Sequence, residues 1–199
     1  MREFWDAHYA DENYIFGTEP NVFLAAQGHL FKPGQKALAV ADGEGRNGVW
    51  LAQQGLDVLS LEISRIGLAK ARKLAEEKRV EVRFEEGDVR TWDWGKERFD
   101  VIVAIFVQFA TPDERTRLFR DMKQALKPGG LLILQGYTPK QVEYKTGGPP
   151  QAENMYTAEM LRDAFSGMEI LHLREHEEFV AEGTKHYGMS ALVDMVARK

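Results

Sequence analysis

Apolar residues fall into short runs of strand length that alternate with longer stretches of helical spacing. The short runs predict strands over residues 37–41, 56–61, 80–84, 99–106 and 131–134. Between them, apolar residues recur every three or four positions, and the predicted helices cover 48–54, 64–75 and 112–126. The order is β-α-β-α-β, a connecting segment, and then β-α-β. Such crossovers favour a mostly parallel sheet with helices on both faces, which binds ligands at the carboxyl ends of its strands.

The last third of the chain has a different pattern. Residues 137–154 contain two glycines and two prolines in succession at 147–150, which indicates a long loop beside the site. A short capped helix is predicted over 157–165. Two segments follow at 169–180 and 189–197, and the polar residues between them predict an antiparallel hairpin at the edge of the sheet. We therefore expect an α/β fold with a single doubly wound, Rossmann-like sheet of seven strands.

A glycine-rich turn follows the first predicted strand. Gly43 and Gly45 have no Cβ that would block a close-packed ligand, and backbone N–H groups there can meet it. Glu62 ends the second predicted strand, where a carboxylate can accept hydrogen bonds from ribose hydroxyls. The sequence therefore predicts a nucleoside-cofactor site. Residues 43–48 also fit the G-x-G-x-x-G pattern, so this turn alone leaves a dinucleotide and S-adenosylmethionine as alternatives.

Composition and charge disfavour several functional classes. The 199 residues suit one domain, and the formal charge of −5 comes with no block of Lys or Arg, so a nucleic-acid partner is disfavoured. The chain has no cysteine, which excludes disulfides, thiolate metal sites and a cysteine nucleophile. The first residues lack the apolar core of a signal peptide, and no apolar run approaches the length of about eighteen residues that spans a membrane. We expect a soluble, cytoplasmic protein with no membrane partner.

Several motifs follow one another in an order that is typical of one enzyme family. They are the turn at 42–47, Glu62, Gly87-Asp88-Val89, Phe99-Asp100, and the Leu-Lys-Pro-Gly-Gly sequence at 126–130. With the predicted terminal hairpin, the chain resembles a class I S-adenosylmethionine-dependent methyltransferase. It is most similar to the small bacterial group that includes tellurite-resistance and thiopurine methyltransferase-like enzymes. The resemblance implies the strand order 3-2-1-4-5-7-6.

The resemblance also implies an organisation of the chain into one methyltransferase domain over residues 1–199. Within it, 1–31 form a lead segment that covers the site, 36–137 the cofactor-binding core, 138–156 an active-site loop, and 157–199 a helix and the terminal hairpin.

The family's cofactor-binding roles can be carried over residue by residue. The glycine turn would hold the methionine end of the cofactor, and Glu62 the ribose hydroxyls. Ile63 would cover one face of adenine, while Asp88 and the Val89 backbone would bind its edge. Phe106 would border the sulfonium and the substrate. The cofactor-binding residues so implied are Asp42, Gly43, Glu44, Gly45, Arg46, Asn47, Glu62, Ile63, Asp88, Val89 and Phe106.

Two positions in the first strand depart from the family. Its members usually have an acid where this chain has Ala39 and a glycine where it has Ala41. The group that commonly holds the cofactor's ammonium is therefore missing. We hypothesise that Asp42 replaces it from a neighbouring position, and the effect of both departures on cofactor affinity stays open.

The acceptor is expected to be a small molecule. Methyl transfer from a sulfonium mainly requires alignment of a nucleophile and exclusion of water. The Asn/Asp-Pro-Pro-aromatic motif of enzymes that methylate exocyclic or amide nitrogens is absent after the fourth strand. This favours a thiol, selenium or tellurium species, or a small oxygen or nitrogen acceptor, over a base in DNA. The predicted substrate-side residues are Tyr9, Tyr14, Phe16, Phe106, Tyr137, Tyr144 and His186, of which Tyr14, Tyr137 and His186 are catalytic candidates.

Two other functions compete with this interpretation. An NAD(P)-dependent oxidoreductase would share the glycine pattern and the acid, but not the lead segment or the terminal hairpin. A methyltransferase-like protein that binds a cofactor or a partner without catalysis is compatible with Ala39 and Ala41. No metal is expected, because His172 and His176 would stand too far apart on a strand to share one ion. The use of a general base and the choice between monomer and homodimer stay open.

Overall fold

The protein is described by a computed structural model that covers all residues from 1 to 199. Its strands are β1 Lys36–Val40, β2 Asp57–Glu62, β3 Arg83–Glu86, β4 Phe99–Ile105, β5 Leu126–Tyr137, β6 Glu169–Glu182 and β7 His186–Arg198. They form one seven-stranded sheet in the order β3-β2-β1-β4-β5-β7-β6. The first five strands pair in parallel, and β7 pairs antiparallel with both β5 and β6. The predicted fold class, strand order and terminal hairpin are confirmed.

Seven α-helices accompany the sheet. They are α1 Arg2–His8, α2 Val22–Ala26, α3 Arg46–Gln53, α4 Arg65–Lys78, α5 Pro112–Ala125, α6 Gln141–Tyr144 and α7 Ala158–Ala164. The crossovers between parallel strands contain α3, α4 and α5, as the sequence pattern predicts. None of the helices combines the length and the apolar composition needed to cross a membrane.

Local sequence signals explain where the crossover helices begin. The Ser64 hydroxyl accepts a hydrogen bond from the Gly67 N–H at 3.0 Å and caps α4. Thr111 and Glu114 form a capping box at the start of α5, with Pro112 in its first turn. α3 begins at Arg46, earlier than the predicted residue 48, because the glycine turn closes with Gly45 in the left-handed region at φ 88° and leads straight into the helix.

The hydrophobic core lies on both faces of the sheet. Along β1, Leu38 and Val40 belong to the larger apolar cluster on one face, and Ala37 and Ala39 to the cluster on the other. This alternation follows from the two-residue period of a strand. Ala39 is therefore packed among apolar side chains, and its position in this protein is part of the core.

The structure also differs from the predicted elements in the bounds of several strands, including β6, which extends to Glu182, and β7, which begins at His186. β3 covers Arg83–Glu86 instead of 80–84, because α4 ends with Arg79 in the left-handed region and the chain pairs with β2 only from Arg83 onward. β5 is longer than 131–134, since its pairing with β4 and β7 extends from Leu126 to Tyr137. The segment predicted as an irregular loop contains α6 and a 3-10 turn at Ala152–Asn154.

The first residues of the chain contact the last hairpin. The Ile15 carbonyl accepts hydrogen bonds from the N–H groups of Thr184, at 2.8 Å, and Lys185, at 3.2 Å. A Cβ on Gly183 would lie 2.3 Å from the same carbonyl oxygen, so only glycine permits this close approach. The lead segment and the tip of the β6–β7 hairpin thus meet above the carboxyl ends of the central strands.

Candidate active site

A cavity of about 470 Å³ opens at the carboxyl ends of the parallel strands. The turn after β1, the end of β2 and the turn after β3 form one half of its wall, which we call the cofactor side. The end of β4, the end of β5, the loop at 147–151 and the start of β7 form the other half, which we call the acceptor side. Residues of α1 and the lead segment cover both halves.

Gly43 brings the backbone of the glycine turn to the cavity wall. Its φ is +61°, and a Cβ there would lie 2.6 Å from the hydroxyl oxygen of Tyr9. Tyr9 comes from the lead segment, is buried, and lies across the turn. Burial, reinforced by the nearby Glu62, Glu44 and Asp42, raises the pKa of Tyr9 well above its usual value, so its hydroxyl stays a hydrogen-bond donor.

Glu62 lies at the end of β2 with its carboxylate held in place by backbone donors. One oxygen accepts from the Gly43 N–H at 2.9 Å, and the other accepts from the Ser64 N–H at 2.8 Å. Burial raises the pKa of Glu62, while these hydrogen bonds oppose the rise. Each carboxylate oxygen retains capacity for another donor, so this residue has the position and the chemistry to accept hydrogen bonds from two ribose hydroxyls.

Asp42 lies under the turn and supports the start of α3. Its carboxylate accepts from the Ser60 hydroxyl at 2.8 Å and from the Gly48 N–H at 3.1 Å. Burial raises the pKa of Asp42 to about 7, although both hydrogen bonds act in the opposite direction. The residue also lines the cavity. A role for Asp42 in holding the cofactor's ammonium stays a prediction.

The turn after β3 presents polar groups suited to the edge of a base. The Asp88 carboxylate forms a hydrogen-bonded ion pair with Arg90, whose Nη2 lies 2.6 Å from one carboxylate oxygen. This contact lowers the pKa of Asp88. The N–H of Val89 makes no hydrogen bond within the chain, although Val89 is buried at the cavity wall. Ile63 lines the same region. This region therefore offers an adenine ring the Asp88 carboxylate, the free Val89 N–H and the apolar side chain of Ile63.

Aromatic rings form the acceptor side. Phe106 follows β4 with a φ of +57°, and its ring centroid lies 4.7 Å from that of Tyr137 and 4.4 Å from that of His186. The ring of Phe16, from the lead segment, packs on His186 at 4.5 Å. A positive φ is unusual for a residue with a side chain, so surrounding contacts must hold Phe106 in this position.

Two polar atoms of this aromatic wall are buried without a hydrogen-bond partner. They are the hydroxyl oxygen of Tyr137 and Nδ1 of His186. Burial, and to a smaller extent the charge of Arg46, lowers the pKa of His186 to about 3, so the imidazole is neutral at physiological pH. Burial raises the pKa of Tyr137, which keeps its hydroxyl protonated. An unsatisfied buried polar atom is costly, and such atoms in a cavity wall indicate where a ligand would bind.

Arg46 is held by a residue that the sequence does not mark as functional. Its guanidinium forms a buried ion pair with Glu182 at 2.7 Å, and Asn21 and the Val22 N–H also donate to that carboxylate. Asn21 continues the network to Gln135 at 2.7 Å. These partners lie far apart in sequence, and no local motif points to them.

The structure places four of the predicted site residues outside the cavity. Glu44 pairs with Lys70 at 2.7 Å, and Gly45 packs against Ala71, where a Cβ would lie 2.5 Å from its neighbour. Tyr14 donates to the Lys70 carbonyl at 3.1 Å, and Tyr144 donates to Glu177 on β6. The family resemblance implied Glu44 and Gly45 as cofactor-binding residues, and Tyr14 and Tyr144 were predicted on the substrate side. Glu44 and Gly45 instead connect the glycine turn to α4, Tyr14 attaches the lead segment to α4, and Tyr144 attaches the loop to the hairpin.

The remaining predicted residues lie together in the cavity wall. They are Tyr9, Phe16, Asp42, Gly43, Arg46, Asn47, Glu62, Ile63, Asp88, Val89, Phe106, Tyr137 and His186. No group of three or more His, Cys, Asp or Glu is arranged to hold a metal ion. His176 instead hydrogen-bonds to Asp194 at 2.7 Å, and His172 packs against Phe23.

Comparison with known proteins gives a family match for the segment that forms the cofactor side of the cavity. Residues 37–130 match the family model described as the methyltransferase domain, Methyltransf_25. This part of the chain is thus similar to a methyltransferase domain. A demethylmenaquinone methyltransferase from Renibacterium salmoninarum is 29% identical over 130 residues, which cover 65% of this chain and 50% of the relative. The chain thus spans about half the length of that curated relative.

Solved structures share the fold of this chain over its whole length. One concerns the conversion of a disulfide bond into a thioacetal group during echinomycin biosynthesis; its TM-score is 0.81, with 20% identity and coverage of 100% of this chain and 91% of that chain. TehB from Haemophilus influenzae has a TM-score of 0.73 and 17% identity, and it covers 100% of this chain and 66% of TehB. At such identities the likeness concerns the fold.

The cofactor that these comparisons indicate is S-adenosylmethionine. The family match supports it, and solved structures with this fold include S-adenosylmethionine-dependent methyltransferases. The site fits that group on its own geometry. Its cofactor side offers the Glu62 carboxylate, the free Val89 N–H and the side-chain-free surface of Gly43 around one cavity.

Proposed function

We propose that this protein transfers a methyl group from S-adenosylmethionine to a small-molecule acceptor, and that the acceptor is a soft nucleophile such as a thiol, selenium or tellurium species. The observation that carries the proposal is that one cavity joins the nucleoside-binding cofactor side to a closed aromatic wall. Phe106, Tyr137 and His186 would border the methyl group of S-adenosylmethionine held on the cofactor side.

The residues of the cofactor side have separate tasks in this proposal. Glu62 binds the ribose hydroxyls, Asp88 and the Val89 N–H bind the adenine edge, and the backbone around Gly43 holds the methionine end. Tyr9 closes the turn from above. The lead segment 1–31 and the loop at 138–156 act as covers of the core, so residues 1–199 work as one unit.

The chemistry of the acceptor side favours a nucleophile that ionises without help. In the reaction, the acceptor would first lose its proton to water, and it would then bond to the methyl carbon as the carbon–sulfur bond breaks and S-adenosylhomocysteine is left. His186, with its pKa of about 3, is a weak base, and Tyr137 is un-ionised. A thiol has a pKa near 8.5 and is partly ionised at neutral pH, whereas an alcohol would need a strong base.

Two further points support a sulfur-like acceptor. The motifs and the lead segment resemble the tellurite-resistance and thiopurine methyltransferase-like group. A solved structure with the same fold concerns the conversion of a disulfide bond into a thioacetal group.

Titration calorimetry tests the cofactor half of the proposal. The purified protein is titrated with S-adenosylmethionine, S-adenosylhomocysteine and NADH. We expect the two adenosyl ligands to bind and NADH not to bind. Binding of NADH alone would favour the oxidoreductase alternative.

A product assay tests the transfer itself. S-adenosylmethionine with a labelled methyl group is incubated with the protein and a panel of small thiols, selenols, alcohols and amines. We expect labelled thioethers and selenoethers in excess over ethers and methylamines. Cofactor binding without any labelled product would favour the non-catalytic alternative.

A further inference from the structure

We propose that the methyl acceptor carries a negative charge, and that Tyr137, His186 and Lys185 form the subsite that holds this charge. The inference rests on the proposed function and specifies its acceptor. A carboxylate-bearing thiol is the chemical class that the subsite fits.

The charges around the cavity are distributed unequally. The acids of its wall, Asp42, Glu62 and Asp88, all follow β1, β2 or β3 and lie on the cofactor side. The acceptor side, from the end of β4 to the start of β7, contains no acid among the wall residues. A cationic acceptor would therefore meet no counter-charge there, and it would also face the positive sulfonium.

Positive charge is available on the acceptor side. Lys185 lines the cavity, and its side chain forms neither an ion pair nor a hydrogen bond, although its N–H is fixed to the Ile15 carbonyl at 3.2 Å. Asp11, the acid on the facing lead segment, is bound by Asn13. Arg46 adds to the positive field but is already paired with Glu182. Lys185 is exposed to solvent at this end of the cavity and its charge acts on Asp11, but no ion pair occupies its ammonium, so it is available to an anionic ligand.

Two neutral donors complete the subsite. The Tyr137 hydroxyl is buried and unpartnered, and neither ring nitrogen of His186 has a hydrogen-bond partner in the chain. Their rings lie 5.8 Å apart at a steep angle of 84°. Because both groups are neutral, each can donate one hydrogen bond to an anion, and the ligand would satisfy atoms that the fold leaves unsatisfied.

The loop above the subsite limits the size of its ligand. A Cβ on Gly147 would lie 2.8 Å from the Tyr137 hydroxyl oxygen, and a Cβ on Gly148 would lie 2.8 Å from the tyrosine ring. The glycine backbone therefore packs directly on Tyr137. This close cover suits a small, short-chain acceptor.

A matched set of thiols tests the charge preference. Thioglycolate, 2-mercaptoethanol and cysteamine have similar size and carry a negative, a neutral and a positive end. The protein saturated with S-adenosylhomocysteine is titrated with each thiol by calorimetry. We expect thioglycolate to bind about tenfold more tightly than cysteamine, with 2-mercaptoethanol between them. Equal binding, or tighter binding of cysteamine, overturns the inference.

Variants assign the preference to the subsite. Lys185→Gln is expected to lower the ratio of thioglycolate to cysteamine affinity by about fivefold to tenfold, and Tyr137→Phe and His186→Phe by about threefold to tenfold each. Lys73→Gln, on the outer face of α4, and Tyr156→Phe, whose hydroxyl donates to the Val107 carbonyl away from the cavity, serve as matched controls. The inference is wrong if the three subsite variants leave the ratio unchanged.

Turnover separates this inference from the proposed function. If cysteamine is methylated as efficiently as thioglycolate, compared at equal thiolate concentrations, methyl transfer stands and the anionic subsite is refuted. If no thiol is methylated but thioglycolate still binds preferentially, the subsite stands and the transfer proposal fails. If S-adenosylhomocysteine does not bind, the transfer proposal fails. The thiols are then titrated into the protein alone, and the subsite inference stands only if thioglycolate still binds more tightly than cysteamine.

Discussion

Arg46 donates a hydrogen bond to Glu182 across 2.7 Å, although 136 positions separate them in the chain. Each side chain exposes only 7% of its surface. Glu182 also accepts from the Asn21 side chain and the Val22 N–H, both at 3.0 Å. This carboxylate therefore ties together the start of α3, the lead segment and the hairpin tip, which are three separate parts of the cavity's surroundings.

Replacement of Glu182 by Gln is expected to destabilise the protein strongly. The amide retains an oxygen acceptor for Asn21 and Val22, but it leaves the Arg46 charge buried without a counter-ion. Removal of one partner from a buried pair costs about 3–5 kcal/mol. Urea denaturation would measure this loss. Glu169→Gln is the control, because its ion pair with Arg198 is exposed, and we expect a loss of at most about 1 kcal/mol.

Ala41→Gly is expected to stabilise the fold. Ala41 has a φ of +49°, a backbone region that costs a residue with a Cβ about 1–2 kcal/mol. Glycine removes this strain but loses about 0.5–1 kcal/mol through greater freedom of the unfolded chain, so the net gain is about 0.5–1 kcal/mol. Thermal and urea denaturation would detect it.

The matched control for this change is Ala39→Gly in the same strand. Ala39 is buried in the core and has no positive φ, so glycine there offers no relief of strain and should destabilise by about 1 kcal/mol. Equal effects of the two substitutions would contradict the assignment of strain to Ala41.

Gly43→Ala is expected to weaken S-adenosylmethionine binding by at least about tenfold. The new Cβ would lie 2.6 Å from the Tyr9 hydroxyl oxygen, so either Tyr9 or the turn must move. Calorimetric titration measures the affinity. Gly34→Ala is the control, since Gly34 also has a positive φ, +82°, but a Cβ there meets nothing within 4 Å. That variant should lose stability and keep its affinity; equal loss of affinity in both would refute a specific role for the turn.

Asp42→Asn should change how stability depends on pH. The folded pKa of about 7 exceeds the ordinary value of 3.8, so between these values the native state binds more protons than the unfolded state. The wild type is therefore expected to lose stability as pH rises from about 4 to 7, by about 2–4 kcal/mol from this residue. Asn does not titrate and still accepts from the Gly48 N–H.

The measurement is urea denaturation of both proteins from pH 4 to pH 8. The stability of the variant relative to the wild type should increase across this range. Comparison of the two proteins cancels the contributions of Glu62, whose pKa is also raised, and of His186, whose lowered pKa removes stability as pH falls below about 6.5. A constant difference would show that burial does not raise the pKa of Asp42.

Periodicity and turn chemistry were sufficient to predict the central part of the fold. The apolar runs predict the parallel strands, and Ser64 and Pro112 mark the helix starts that the structure has. The position of Glu62 at the end of β2, beside Gly43, also follows from local sequence. These features depend on residues that are close along the chain, where spacing determines geometry.

The rest of the site depends on contacts that the sequence does not encode locally. Glu182 looks like one acid among several in β6, and only the fold brings it to Arg46. Conversely, Tyr14 and Glu44 lie beside motif residues in the sequence, yet both bind Lys70 on α4 instead of facing the cavity. In the glycine turn and the lead segment, contacts with residues that are distant in sequence determine the orientation of each side chain.

The hydrogen bonds from Thr184 and Lys185 to the Ile15 carbonyl bear on how the protein matures during translation. The lead segment is synthesised first, but the residues that fix it lie in the last hairpin. The strands that carry the cofactor side leave the ribosome well before β7 does, and chains begin to fold in that order. The acceptor side of the cavity is consequently the last part of the protein to form, and a nascent chain released before residue 186 would lack it.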